Sequence, residues 1–201
     1  MPPVIFRSTF NRVISIVTWA ALTVAVVGTA LTPGALPTLV GIPVGAVGLA
    51  LLAWVFLWAP HLRVDDEGAT VANIFLDYVV PWAALIHVDT QYSLTLHTPG
   101  RRIRVTAAPA PGQLAAFRAT RAEKRRLGQL TGGDIRPGDL PGTDSGTAAE
   151  IVRDRWERLR DAGRIEAGVA ESLHVTVRVR ALPVAAAVIG AAAIVIAVLS
   201  V

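Results

Sequence analysis

Two stretches of this chain, residues 13–58 and residues 181–201, contain no Asp, Glu, Lys or Arg. That feature limits the possible folds more than any other. A soluble domain places a charge at about every fourth position. A charge-free run of this length in water would expose apolar surface with nothing to cover it. About 20 apolar residues is what a helix needs to cross a hydrocarbon layer of ~30 Å. Val13–Thr32 supplies one such span, Leu36–Trp58 a second and Leu182–Val201 a third. Pro33-Gly34-Ala35 leaves room only for a tight turn, so the first two spans are expected to form an antiparallel hairpin. Gly41-x-x-x-Gly45, with Pro43 and Gly48, reads as a close contact of the second helix with the first. Arg7 and Arg12 ahead of the first span resemble the basic start of a signal peptide. The apolar run that follows exceeds the usual 7–15 residues and leads into another span, which favours an anchor.

All fifteen acids and seventeen of the nineteen Lys and Arg residues fall in 59–180, which therefore faces water as a single domain. Basic residues flank the spans unevenly. Arg7 and Arg12 precede the first, Arg63 follows the second, and Arg178 and Arg180 precede the third, while the 33–35 turn and residues 182–201 have none. The positive-inside rule then places residues 1–12 and the domain at 60–180 in the cytoplasm, in a multi-pass protein of the plasma membrane. Trp54 and Trp58 fall at the same face, where an aromatic belt is expected. With no cysteine, disulfides, thiolate metal sites and cysteine nucleophiles are excluded.

Within the domain, period-two segments alternate with turn signals. His61–Asp65, Ala69–Phe75, Tyr92–Thr98 and Arg101–Ala107 read as strands, with Asp66-Glu67-Gly68 and Pro99-Gly100 as turns. This pattern predicts an antiparallel sandwich or barrel. Val79–Val88 is too short to span a bilayer and holds Pro81, so it reads as two strand pieces bent at the proline, with Trp82 turned into the core. Pro111–Leu127 is expected to be helical and 128–146 a Gly/Pro/Asp-rich loop. Thr147-Ala-Ala-Glu150 has the form of a capping box opening a helix that Gly163 ends. Ala149, Val152, Trp156 and Leu159 share one face of that helix. Leu173–Arg180 alternates as a last strand running into the third span.

The segments RVDDEGATVAN, VPWAALIHV, RRIRVTAAPAP and DLPGTDSGTAAEIVRDRWERL resemble the bacterial PH-like domain family of actinobacterial membrane proteins, sometimes called low-molecular-weight protein antigens. The likeness covers roughly residues 60–110 and 139–160, and Val80-Pro81-Trp82 is its most telling part. It implies a bent antiparallel barrel plugged by a C-terminal helix, with Trp156 as the packed tryptophan of that helix. The third span, the 113–138 insertion and the strand at 173–180 depart from the family plan.

Little in the chain points to catalysis. Asp144-Ser145-Gly146-Thr147 has the letters of an aspartic-protease motif, but it follows Pro141-Gly142-Thr143 and enters a capped helix. His61, His87, His97 and His174 lack metal-ligand spacing, and no phosphate-binding or dinucleotide fingerprint is present. No cofactor, metal or nucleic acid is expected. The acidic turn at 65–67 also argues against a phosphoinositide pocket between the first two strands of the domain, because like charge repels phosphate. Two basic clusters remain: Arg101-Arg102, and Arg118, Arg121, Lys124, Arg125 and Arg126 on the expected helix. The reading is a non-catalytic, membrane-anchored interaction or scaffold module with an unidentified protein partner. The alternative is a sensor of anionic lipid acting through residues 118–126.

Overall fold

The computed structural model describes residues 2–32, 40–90, 93–109, 143–165 and 168–200. In chain order the elements are β1 (Val4–Phe6), α1 (Thr9–Ala30) and α2 (Gly41–Ala53), the last continued by a π-helical turn at Trp54–Trp58. Strands β2 (His61–Val64), β3 (Gly68–Ala72), β4 (Leu76–Pro81), β5 (His87–Asp89), β6 (Ser93–Thr98) and β7 (Arg101–Pro109) follow. Helix α3 (Asp144–Asp161), strand β8 (Thr176–Val179) and helix α4 (Ala181–Leu199) complete the list. These fall into two compact units. One is Met1–Ser8 with His61–Arg178, and the other is Thr9–Pro60 with Val179–Val201.

The second unit is helical. Thr9–Ala30, Gly41–Trp58 and Ala181–Leu199 are each long and apolar enough to cross a membrane. Their outward faces carry Val17, Val24, Val188, Ile189 and Leu199, all more than half exposed, an apolar surface that water does not favour. Pro43 and Pro183 each stand third in their helices, where the missing N–H has no intrahelical acceptor to lose. The hydroxyls of Ser15, Thr23 and Thr29 donate to the carbonyls of Asn11, Trp19 and Ala25, four residues back, at 2.8–2.9 Å. No polar group on those three side chains is therefore left for an apolar solvent to accommodate.

The small-residue stripe of α2 packs against α4, not against the first helix as the sequence reading had it. A Cβ placed on Gly48 would lie 2.6 Å from the Gly190 carbonyl oxygen, and one on Gly190 would lie 2.9 Å from the Gly48 oxygen. Gly45 faces Ala197. Higher numbers on α2 meet lower numbers on α4, so the two helices run antiparallel. Both partners are small at the crossing, and the sequence pattern of α2 alone could not say which neighbour would match it. Helix α1 also packs on α2, where the Trp19 indole N–H donates to the Ala50 carbonyl at 3.2 Å.

The first unit contains two antiparallel sheets and α3. One sheet has the order β1-β2-β3-β4-β8 and the other β5-β6-β7. Register puts Val64, Ala69 and Val80 in one inward row of the larger sheet, and Val88, Leu96 and Ile103 in one of the smaller. All six are buried. Ala148, Ala149, Val152 and Leu159 of α3 close the same core. Pro81 ends β4, and Trp82–Ala84 form a 3₁₀ turn that leads to β5. Trp82 is 4% exposed, and its indole N–H donates to the Asp65 carbonyl at 2.9 Å.

Several local expectations change. Residues 4–6, read as part of a cytoplasmic tail, pair with β2 through Val4↔Val64, Ile5↔Arg63 and Phe6↔Leu62. Three residues are too few for period-two alternation to register. Helix α3 starts one turn before the expected capping box: Thr143 is the N-cap, and its hydroxyl accepts from the Gly146 N–H at 3.0 Å. Thr147 lies inside the helix, exposed, with its own N–H bonded to the Thr143 carbonyl. Strand β8 covers Thr176–Val179, shorter at both ends than the expected Leu173–Arg180, and a 3₁₀ turn at Ala170–Ser172 precedes it.

Candidate functional site

The basic helix singled out from sequence lies outside the described residues, so Arg118, Arg121, Lys124, Arg125 and Arg126 have no place in the geometry below. Trp82 and Trp156, the expected core residues, are both placed. Trp156 is half-buried and packs against the core. The Arg160 guanidinium stands 5.0 Å from its ring centre, and its own N–H is buried without a hydrogen-bond partner.

The buried arginine of α3 went unread in the sequence. Arg155 is 4% exposed, meets Asp66 at 2.5 Å, and donates to the Pro2 carbonyl at 3.0 Å. Arg164 reaches the other Asp66 oxygen at 3.4 Å. The signal was available, since Val152, Arg155 and Leu159 are spaced three and four apart, which puts a charge in an apolar stripe. A charge in that position needs a buried partner. The ammonium of the chain's amino terminus is the largest influence on Asp66. Together with Arg155 and Arg164 it outweighs desolvation and holds the carboxyl at about 2. Next to it the Asp65 carboxylate accepts from the N–H groups of Glu67 and Gly68, each at 3.1 Å. The acidic turn is thus bound up in shaping the β2–β3 connection and seating α3. Asp144, from the protease-like letters, sits in the first turn of α3 and accepts a hydrogen bond from Ser8.

Histidine and arginine side chains gather instead on the outer face of the small sheet. His87 on β5 is directly opposite His97 on β6, and His97 is opposite Arg102 on β7. The two imidazoles stand 5.8 Å apart. Residues i and i+2 of a strand share a face, so the next row out is Asp89, Thr95 and Arg104. A cleft of about 350 Å³ opens over the first row, lined by Ile86, His87, His97, Thr98, Gly100, Arg101 and Arg102. A second cleft of about 190 Å³, between β5 and α3, shares Ile86 and His87 and adds Leu85, Val88, Arg153, Trp156 and Glu157. The sequence showed His87, His97 and Arg102 as separate strand residues, and only register joins them.

In the helical unit the bases collect at one end. The Arg12 guanidinium lies 5.0 Å from the Trp58 ring centre, and Trp58 in turn packs on Trp19 at 5.2 Å. Arg180 donates to the Ala59 carbonyl at 3.3 Å. Among the described residues no group of three or more His, Cys, Asp or Glu could hold a metal ion. No family model, no curated protein and no solved structure matches this chain.

Proposed function

We propose that the protein is a non-catalytic, membrane-anchored interaction module, in which a PH-like domain is held at the inner face of the plasma membrane by three helices. One observation carries the reading. The sheet unit is joined to the helical unit with almost no linker: β2 begins three residues after Trp58, and α4 begins two after Val179. The remaining passage is equally short, since α1 begins three residues after Phe6 of β1. The two antiparallel sheets with a following helix over their core are compatible with the PH-like resemblance. Arg12 and Arg180 gather near Trp58 and Ala59, the end at which the chain leaves for the sheet unit, and this supports a cytoplasmic domain.

The test is a topology map of the full chain. An alkaline-phosphatase reporter fused after Val201 is expected to be active outside, and a reporter inserted near Gly132 to read as internal. The opposite pattern overturns the orientation, and recovery of the protein in the soluble fraction overturns the anchor. A fragment starting at residue 60 is a poor substitute, because it lacks β1 and the Pro2 carbonyl that Arg155 uses.

A further inference from the structure

We infer that the outer face of the β5–β6–β7 sheet is a binding site for a phosphate-bearing anion, centred on His87, His97 and Arg102. This goes beyond the anchoring proposal and does not depend on it. Four observations converge. First, the three residues form one cross-strand row, His87↔His97↔Arg102. Adjacent strands lie about 4.8 Å apart, so neighbouring side chains in such a row can both donate to one tetrahedral oxyanion. Second, none of the described residues that line the cleft above the row is acidic, and Arg101 adds a further guanidinium to its lining. Among the described residues of these strands the carboxylate on this face, Asp89, lies in the adjoining row with Arg104.

Third, the fold does not use these groups in ion pairs. His87, Arg101 and Arg102 are exposed, and among the described residues none of them, nor His97, forms an ion pair. The guanidinium groups of Arg101 and Arg102 therefore keep their charge for a bound anion. The guanidinium fork and the imidazole N–H groups are donors suited to phosphate oxygens. Fourth, the space fits. A cleft of about 350 Å³ lies at the small end of the ~300–1,000 Å³ range of ligand pockets. It adjoins the cleft of about 190 Å³ that offers Leu85, Ile86, Val88 and Trp156 to an organic substituent. Gly100, with no side chain and nothing near its missing Cβ, leaves the mouth open.

The ligand class is therefore a phosphate ester, and its source is either a soluble compound or a lipid headgroup. The chain has four histidines, two in the site and two outside it, so imidazole NMR signals of the full-length protein in detergent micelles report the site with an internal control. The probes are glycerol 1-phosphate and dihexanoyl phosphatidic acid, each compared with sodium chloride at equal ionic strength. The His87 and His97 signals are expected to move saturably by about 10 mM probe, while His61 and His174 stay in place. Arg102→Gln is expected to weaken binding about tenfold, the loss of one charge-assisted hydrogen bond, and Arg104→Gln to leave it unchanged. Tighter binding of the short-chain lipid assigns the site to a headgroup; equal or weaker binding assigns it to a soluble ester. Equal movement of all four histidines, a response that sodium chloride reproduces, no saturable response, or an Arg102→Gln variant that binds like the parent overturns the site.

Discussion

Helices α2 and α4 cross with little space at Gly48 and Gly190, and Gly48→Ala is the sharpest test of that crossing. The added Cβ would sit 2.6 Å from the Gly190 oxygen, 2.9 Å from Ile194 Cγ1 and 3.2 Å from Ala193 Cβ. Two of these three neighbours are backbone or a backbone-fixed methyl, so little can yield by rotating a side chain. Restoring a contact of about 3.4 Å requires the helices to separate by roughly 0.8 Å, and a gap of that size forfeits a quarter to a half of the dispersion energy along the seam. The expected cost is about 1–3 kcal/mol, the usual range for overpacking. Gly28→Ala on α1 is the control, because nothing lies within 4 Å of that position. It should be neutral or slightly stabilising, as alanine is the better helix former.

The assay is thermal unfolding of the full chain in one detergent, with both variants run beside the parent. A second readout uses the absence of native cysteine. The Cβ positions of residues 45 and 197 lie 3.1 Å apart, a few tenths of an ångström under the ~3.5–4.5 Å of a disulfide, so a Gly45→Cys, Ala197→Cys pair should crosslink within one molecule after a small separation of the helices. If Gly48→Ala melts with Gly28→Ala, and the cysteine pair does not close, the α2–α4 seam is not the packing contact described above.

Three further outcomes follow from the sheet unit. Trp82→Phe removes the donor to the Asp65 carbonyl and should cost about 1–3 kcal/mol, whereas Trp156→Phe removes an N–H without a partner and should cost less; denaturant unfolding ranks the two. Thr143→Ala deletes the N-cap of α3 and should cost about 1 kcal/mol, while Thr147→Ala at its exposed site should change stability by no more than a few tenths, the reverse of what the capping-box reading implied. The Asp66 carboxyl titrates at about 2 in the folded chain against an ordinary 3.8, so its stabilising contribution is complete above about pH 4 and is lost as pH falls through 2. Melting temperature between pH 5 and pH 2.5 should therefore fall further in the parent than in Asp66→Asn; parallel curves would mean that ionised Asp66 stabilises nothing.

Some of this protein was settled by its sequence alone. The two charge-free stretches hold three apolar segments of helical length, and a helix satisfies its N–H and C=O groups within the segment, needing no partner strand. Period-two alternation likewise marked 61–65, 92–98 and 101–107 as strand segments, close to the observed 61–64, 93–98 and 101–109, since a strand with one buried face must alternate. Pro81 marked the break between β4 and β5 for a local reason, its fixed φ and missing donor. What the sequence left open depends on which residues meet. Gly48 requires a close neighbour but does not name α4, Arg155 in an apolar stripe requires a carboxylate but does not name Asp66, and His87, His97 and Arg102 are unrelated letters until strand register sets them in one row. Local propensity acts over a few residues, whereas each of these contacts joins positions that only the packed chain brings side by side.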